Sequence, residues 1–388
     1  MNILFIFEAP INPTIGGVQR VTEVLAKELQ KRGYNIFFLA YSHKDMMGYK
    51  KFVAPQFYID IATLSAKNIH QQLSDIINNN KISIVVSQNL QNNHILRLLP
   101  KGLKIVSVCH TQPFLCENIT RQHLKKIKAQ NIKEKCFKLI SVQFPAFYRK
   151  HMERSEIKDT INALLYSNIV CYISERFWDR IIRHVPSFPR EKFMAICNPN
   201  TFPAISNASL IKKENLIIWV GRVNNENKNA IGFIKMWKIF QKKNPSWKAI
   251  IIGYGKDFED NSKYIIENNI KNINLVGRRD NVKEYYAKAK FVAITSWSES
   301  WCMTITEGMT FGCVPCVYGT YETVFDIIKD GVSGIITEPT EDNMAKRLQF
   351  YVENEAKWRQ MSMNAIEQVK QYDVSIIANQ WINLFNKL

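Results

Sequence analysis

The sequence has no apolar run that approaches the ~18 to 20 residues needed for a membrane-spanning helix. Its first segment, MNILFIFEAP, has no basic stretch, and Glu8 interrupts its apolar run. A secretory signal peptide combines a basic stretch with an unbroken apolar core. We therefore expect a first β-strand here, and a cytoplasmic protein.

The spacing of the cysteines gives little evidence for a metal or redox site. Of the eight cysteines, only Cys313 and Cys316 form a suggestive pair, in GCVPCV. No second pair completes a zinc site, so we expect no metal. A redox-active cysteine pair is the alternative interpretation. However, the two cysteines lie on either side of Pro315 at a predicted turn, where small apolar residues would pack equally well. We expect reduced, structural thiols, as is usual in the cytoplasm.

Acidic residues are fewer than basic ones, and the difference is concentrated in the first half. The chain has 52 Lys and Arg against 34 Asp and Glu, a net charge of +18. Residues 1–200 contain 28 Lys and Arg and 14 Asp and Glu, a net charge of +14. Residues 201–388 contain 24 Lys and Arg and 20 Asp and Glu, a net charge of +4. Residues 119–158 alone contain 11 basic and 3 acidic side chains, a net charge of +8. These charged residues are interspersed with Leu, Ile, Phe and Tyr.

Three interpretations of residues 119–158 are open. Charge runs are usually solvated helix faces. A basic segment that carries aromatic residues also binds anionic lipid, with about 1 kcal/mol from each Lys or Arg near the surface. Nucleic-acid binding needs a groove-reading or base-stacking module as well, and the sequence shows none. The solvated face and the anionic surface both stay open from the residues alone, and we expect no nucleic acid.

Apolar strand-like runs alternate with helical periodicity along the chain. Such strands indicate parallel sheets covered by helices on both faces. In the first unit, NILFIF precedes a helix with Val21, Leu25 and Leu29 on one face, and Gly33 is its expected end.

The length of 388 residues exceeds what one hydrophobic core usually supports. The Pro-rich passage HVPSFPREKFMAICNPNTFPAI and the polar run after it separate two series of strands, so we place a linker near 203–213. We therefore expect an α/β fold of two doubly wound domains that face each other across a deep cleft. The expected domains are 1–203 with the C-terminal helix 372–388, and 204–371.

Ligands of doubly wound sheets bind at the carboxyl ends of strands. Gly16 and Gly17 open a helix there, where glycine admits a ligand to the backbone and the helix amino end attracts an anion. The full G-x-G-x-x-G fingerprint is absent, and a tight turn explains the pair equally well. His110, in SVCHTQP, also follows a strand; a lone His is often structural, but this position makes it a candidate.

The stretch VGRVNNENK puts Arg222 and Lys228 after the strand LIIWV. Two fixed cations ahead of a helix suit a diphosphate leaving group, with ~1.5 to 3 kcal/mol for each charge-assisted hydrogen bond. A solvated Arg and Lys on a polar loop are the equally weighted alternative.

The stretch SESWCMTITEG, residues 298–308, carries Glu299 and Glu307. One interpretation is a capping box, in which Thr304 and Glu307 satisfy each other's amides at a helix start. In the other, the amides from Met303 to Ile305 bind an anion, and an ionised Glu307 accepts hydrogen bonds from a vicinal diol such as ribose.

With these motifs in place, the sequence resembles the carboxyl-terminal donor domain of GT-B glycosyltransferases of family 4, which are retaining and nucleotide-sugar-dependent. The resemblance covers nearly all of residues 216–338 through VGRVNNENK, IIGYGKD, the stretch from LVGRRDN to GCVPCV, and ETVFDIIKDGVSGII. The amino-terminal half is similar more loosely, through GGVQR and SVCHTQP. The first domain would then bind the acceptor, and the second the donor.

The resemblance also implies residue roles. Arg222 and Lys228 would hold the donor diphosphate, Glu307 the ribose, and Glu299 the sugar hydroxyls. With His110 against the sugar, the implied catalytic residues are Glu299, His110, Arg222 and Lys228. The other implied donor-binding positions are Gly16, Gly17, Cys302, Met303 and Thr304.

The chain departs from the family pattern in ways that affect the sugar pocket and the metal. Trp301 and Cys302 replace the commoner Phe-Gly, and ICNPNTF stands where many relatives have an Asn-Gly turn. No Asp-x-Asp occurs to hold a divalent metal on the diphosphate. We therefore expect metal-independent transfer with retention, no cofactor, and a nucleotide-diphosphate sugar as co-substrate.

The expected acceptor is a glycan or a lipid-linked glycan in cell-surface polysaccharide synthesis. Charge and the resemblance together lead us to expect that residues 119–158 dock the acceptor domain on the anionic inner face of the cell membrane. A nucleotide-sugar 2-epimerase, which shares the two-domain fold, is the alternative enzyme. A basic binding protein for lipid or nucleic acid is the non-enzymatic alternative, and it leaves the donor motifs unexplained.

Overall fold

The computed structural model describes residues 1–14, 16–42, 53–88, 90, 93–115, 132–205 and 212–388. Contacts between Cα atoms divide the chain into two compact units, 1–197 with 377–388, and 198–376. These limits lie a few residues from the expected boundaries at 203 and 372. Residues 198–205 go with the second unit because the Asn200 amide donates to the Tyr372 carbonyl at 2.7 Å and Phe202 packs edge-on against Phe311. Part of the expected linker, 206–211, lies outside the described residues.

The first unit contains a seven-stranded sheet with the order β3-β2-β1-β4-β5-β6-β7. All of its strand pairs are parallel. The strands are β1 Asn2–Phe7, β2 Asn35–Ala40, β3 Gln56–Tyr58, β4 Ile84–Ser87, β5 Lys104–Cys109, β6 Ile169–Tyr172 and β7 Phe193–Ala195. The helices of this part of the chain are α1 Gly17–Lys31, α2 Ala66–Asn79, α3 Ile132–Gln143, α4 Pro145–Tyr166 and α5 Phe177–His184.

The second unit contains a six-stranded parallel sheet with the order β10-β9-β8-β11-β12-β13. Its strands are β8 Glu214–Val220, β9 Lys248–Ile252, β10 Ile273–Gly277, β11 Ala289–Ile294, β12 Val314–Tyr318 and β13 Ile335–Thr337. Its helices are α6 Ala230–Phe240, α7 Phe258–Glu267, α8 Val282–Lys288, α9 Met303–Thr310, α10 Val324–Ile327, α11 Glu341–Glu353 and α12 Glu355–Val369. Two parallel sheets flanked by helices confirm the expected α/β class.

The apolar pattern of the sequence explains these elements. In β1, five consecutive residues from Ile3 to Phe7 are buried, as expected for a central strand covered on both faces. In α1, Val21, Leu25 and Leu29 are buried, and Gly33 takes a positive φ of 83° just beyond the helix end.

The last helix, α13 Val374–Lys387, begins in the second unit and continues in the first. Its Ile377, Trp381 and Phe385 lie in the same hydrophobic cluster as β1 and α1. Burial of these side chains stabilises the attachment by about 1.5 to 3 kcal/mol each. Among the described helices, none is long and apolar enough to cross a membrane.

The cysteine pair of the GCVPCV stretch is structural. Cys313 and Cys316 are fully buried and not disulfide-bonded. Burial raises the pKa of the Cys313 thiol to about 12 and also raises that of Cys316. A redox pair requires an accessible thiolate, so the arrangement supports the structural interpretation.

Buried thiols make stability sensitive to alkaline pH. Burial raises the pKa of Cys109 to about 12, and it raises those of Cys171 and Cys302 as well. A thiol with a pKa raised on folding stabilises the protein fully below the unfolded-state value of about 8.5, and this contribution is lost as the pH rises through the folded-state value. Lys213 changes the free energy of unfolding in the opposite direction over this pH range, because burial lowers its pKa to about 8. It is a single group set against several buried thiols.

We predict that the free energy of unfolding falls between about pH 9 and pH 11, with a slope of up to ~1.4 kcal/mol per pH unit from each buried thiol. Denaturant titration at a series of pH values measures the slope. Replacing the buried thiol in Cys171→Ala should make it shallower, whereas Cys136→Ala, at an exposed position, should not. Equal slopes in the two variants would contradict the explanation.

Candidate active site

The carboxyl edge of the second sheet has a switch point between β8 and β11, which are neighbours in the sheet but not in the chain. Helices leave in opposite directions at such a point and open a crevice. The loop 221–229 follows β8, and the loop 295–302 follows β11. The backbone segments that follow β8 and β9 approach each other closely. A Cβ atom on Gly253, whose φ is +140°, would lie 1.8 Å from the Gly221 carbonyl oxygen. Only glycine fits that position.

Lys228 and Glu299 join the two loops by an ion pair. The Lys228 Nζ atom lies 2.5 Å from Glu299 Oε1 and 2.6 Å from Oε2. The Ser296 hydroxyl donates to Oε1 at 2.7 Å. The Lys228 side chain is 31% exposed and that of Glu299 is 10% exposed, so the pair lies in a crevice and not on the open surface.

Electrostatics keep the ammonium of Lys228 charged. Burial acts to lower its pKa, but the charge and hydrogen bonds of Glu299 outweigh that effect, and the pKa is raised above its usual value. The nearby Arg222 acts to lower it. Arg222 itself is exposed. The predicted Arg222, Lys228 and Glu299 are therefore brought together as two cations and one carboxylate.

Asn229 positions Lys228. Its φ of +53° lies in the left-handed region, and its side chain accepts a hydrogen bond from the Gly232 amide at the start of α6. The Thr295 hydroxyl donates to the Asn229 carbonyl at 2.7 Å. Hydrogen bonds therefore hold the backbone of the two loops that carry Lys228 and Glu299.

The interpretation of Thr304 and Glu307 as a capping box at the start of α9 was wrong. The residue before the helix is Cys302, with a φ of +57° and no side-chain cap. The Thr304 hydroxyl donates to the Val220 carbonyl at 3.4 Å, and Glu307 faces other partners. The Ile305 amide donates to the Cys302 carbonyl, which leaves Met303 and Thr304 at the first-turn positions that lack a partner within the helix.

Glu307 is a buried carboxylate with neighbours that the sequence did not indicate. It is 4% exposed and accepts hydrogen bonds from the Thr201 hydroxyl at 2.6 Å and the Tyr286 hydroxyl at 3.0 Å. Thr201 comes from the segment before β8 and Tyr286 from α8. These contacts hold the carboxylate in place.

Trp301 and Cys302 form a buried wall beside the ion pair. Trp301 is 3% exposed and packs edge-on against Tyr372 at 5.2 Å. Burial, followed by the nearby charge of Glu299, raises the pKa of the Cys302 thiol. A neutral thiol at this position is a packing group and not a nucleophile.

The remaining predicted residues lie in the first unit. Gly16 and Gly17 are exposed at the start of α1, and an added Cβ atom would meet nothing within 4 Å at either position. His110 follows β5, is partly buried, and its Nε2 atom is hydrogen-bonded to Gln88 Oε1. Both positions are at carboxyl ends of strands, but they belong to a different unit from Lys228 and Glu299.

The chain is similar to known glycosyltransferases in sequence and in fold. Residues 201–368 match the model of the glycosyl transferases group 1 family. An α-1,4-N-acetyl-D-galactosaminyltransferase of Campylobacter jejuni, named for a diNAcBac-PP-undecaprenol-linked substrate, is 28% identical over 49% of this chain and 53% of its own length. The match thus spans about half of each protein.

Two solved structures cover 100% of this chain and 100% of their own. Anabaena HepE in complex with UDP and glucose has a TM-score of 0.71 at 16% identity. The apo form of the lipopolysaccharide outer core galactosyltransferase WaaB has a TM-score of 0.69 at 18% identity. Residues 201–368 are therefore similar to the glycosyl transferases group 1 family, and the fold of the chain is GT-B.

Proposed function

We propose that the chain transfers a sugar from a nucleoside-diphosphate donor to a glycan or lipid-linked glycan acceptor, with retention of configuration, in cell-surface polysaccharide synthesis. The observation that carries the proposal is the Lys228–Glu299 pair, with Arg222 beside it, at the switch point of the second sheet. A nucleotide-sugar 2-epimerase is not favoured, because the matched family model and the named relatives are transferases.

Arg222, Lys228 and the first-turn amides of α9 provide the positive charge for the donor diphosphate. Arginine and helix amino ends bind phosphate oxygens by directed hydrogen bonds, and lysine adds a point charge. Because Lys228 is held protonated by Glu299, it is ready to contact an anion without a change of protonation. We propose that these groups take the place of a divalent metal.

Glu307 is the proposed ribose ligand. Thr201 and Tyr286 fix the orientation of its carboxylate, and a carboxylate can accept hydrogen bonds from a vicinal diol. UDP occurs in the solved HepE complex, so a uridine nucleotide is the first donor to test.

Glu299 is proposed to orient the transferred sugar through its hydroxyls, and Cys302 with Trp301 to close one side of that pocket. The bond between the anomeric carbon and the diphosphate oxygen breaks, and the bond to the acceptor oxygen forms on the same face. The acceptor proton passes to the leaving diphosphate, whose charge Arg222 and Lys228 stabilise. We assign His110, Gly16 and Gly17 of the first unit to the sugar and acceptor side.

We predict that Arg222→Ala and Lys228→Ala each lower turnover of a UDP-sugar by ~10- to 100-fold, since a charge-assisted hydrogen bond contributes about 1.5 to 3 kcal/mol. Release of UDP from a panel of UDP-sugars, with the slow hydrolysis reaction as the baseline, measures the effect. Lys263→Ala, an exposed position on α7, is the control. Near-normal turnover in both site variants would refute the assignment, and an inverted anomeric product in NMR spectra would refute retention.

A second part of the proposal concerns α3 and α4 in the first unit, because they expose apolar side chains. Leu139 is 72% exposed, Phe144 is 63% exposed and Leu165 is 70% exposed. Of the 22 residues of α4, only Thr160 and Ala163 are buried. The pair of helices is nonetheless ordered, since Phe137 of α3 packs against Phe147 and Tyr148 of α4.

The same two helices carry basic side chains that are exposed or partly exposed, at Lys133, Lys135, Lys138, Arg149 and Lys150. Apolar groups that insert into a lipid interface and cations that meet anionic headgroups are the two components of interfacial binding. We propose that the protein is cytoplasmic and peripheral at the membrane, with α3 and α4 bound to the inner, anionic leaflet. The rest of the basic segment, residues 119–131, lies outside the described residues.

We predict that Leu139→Gln with Phe144→Gln releases the protein from vesicles of phosphatidylglycerol and phosphatidylcholine, measured by flotation, because insertion of apolar side chains is lost. Neutralising Lys125, Lys126 and Lys128 should also weaken binding. The control is Ile266→Gln, since Ile266 is 75% exposed on α7 of the second unit. Unchanged flotation of the α3–α4 variant, or equal loss in the control, would contradict this surface assignment.

A further inference from the structure

Trp297 is an exposed aromatic side chain at the carboxyl edge of the second sheet. It follows β11 and Ser296, the residue that donates to Glu299, and it is 43% exposed. A tryptophan that contributes to a core is normally buried, as Trp237 is in this unit, at 0% exposure. Core packing therefore does not account for Trp297.

The loops around it hold Trp297 firmly. Its amide donates to the Asn227 carbonyl at 2.8 Å, next to Lys228. Its ring lies 6.0 Å from the ring of Tyr318, a fully buried residue at the end of β12. The preceding carbonyl, that of Ser296, accepts from the Thr320 hydroxyl at 2.8 Å. An exposed aromatic ring that is already fixed loses little conformational freedom when a ligand stacks on it.

A second exposed aromatic residue lies near the segment that follows β12. Phe325 of α10 is 50% exposed. Its Cζ atom lies 3.9 Å from the position that a Cβ atom would take on Gly319. Gly319 directly follows Tyr318, which contacts Trp297. Trp297 and Phe325 are therefore next to two consecutive residues, Tyr318 and Gly319.

The chemistry of this edge favours a carbohydrate. Aromatic faces carry partial negative charge and attract the C–H groups on one face of a pyranose ring. Ligand sites usually combine aromatic side chains with a few polar groups that fix orientation. Here the polar group is Glu299, whose carboxylate accepts from Ser296, the residue before Trp297, and can also accept a hydrogen bond from a sugar hydroxyl.

We propose that Trp297 and Phe325 form a stacking surface for consecutive pyranose rings of the acceptor glycan, with the ring on Trp297 next to Glu299. The inference rests on the proposed transferase function. Two aromatic positions suit an acceptor of at least two sugars, whereas a nucleotide donor carries only the one sugar that is transferred.

Saturation-transfer NMR with maltose, lactose and N,N′-diacetylchitobiose as probes tests this surface. We expect transfer to ring protons in the wild-type protein, a signal about tenfold weaker in Trp297→Ala, and a largely retained signal in Trp297→Phe, because an aromatic face is worth on the order of one factor of ten. Phe325→Ala should weaken the signal of the second ring. Phe350→Ala removes a side chain of 44% exposure on α11 and should change nothing. Equal signals in wild type and Trp297→Ala, or no signal from any probe, would overturn the proposal.

Thermal stabilisation by UDP and by UDP-glucose separates the two sources of a sugar ring. If Trp297→Ala abolishes the extra stabilisation by UDP-glucose over UDP while disaccharide signals persist, the ring stacks the donor sugar and the acceptor assignment is wrong. If none of UDP, GDP, ADP, CDP and dTDP stabilises the protein but disaccharides bind through Trp297, the stacking surface stands and the transferase function fails.

Discussion

The ion pair between Lys228 and Glu299 is the interaction on which the candidate site depends. It connects the loops that follow β8 and β11, and so bridges the switch point where the second sheet opens a crevice. Neither group can be removed alone without leaving the other as an uncompensated, partly buried charge. The pair therefore keeps a cation and a carboxylate in one place before any ligand binds, and this is the preorganisation that group transfer requires.

Other contacts serve to hold this pair and its surroundings. Asn229 with its left-handed backbone fixes the residue after Lys228, and Ser296 fixes the orientation of Glu299. On the next helix, Thr201 and Tyr286 hold Glu307 in the same manner. Both carboxylates are thus oriented by hydroxyl groups, which limits the reorganisation needed when a ligand arrives.

Much of the fold was predictable, because near-continuous apolar strands and the glycine at position 33 are local signals. The glutamate spacing in SESWCMTITEG also indicated a site at a strand end. The partners of those glutamates were not predictable: Thr201 lies 106 residues before Glu307, and Lys228 lies 71 residues before Glu299. Pairing over such distances is decided by the packing of whole elements, not by local pattern. The capping box failed because Cys302 takes the left-handed conformation, which sequence patterns assign to glycine or asparagine.

The central claim is that Glu299 holds Lys228 protonated where the donor diphosphate binds. The most direct test is the acylation rate of Lys228 by acetic anhydride near pH 8.5, followed by mass spectrometry in the wild type and in Glu299→Gln, with and without UDP. Only the neutral amine reacts, so Glu299→Gln should speed acylation by about tenfold for each pKa unit lost. UDP should restore protection in that variant, because the diphosphate replaces the carboxylate as the partner of the ammonium. Equal rates in the two proteins, or no protection by UDP, would contradict the account.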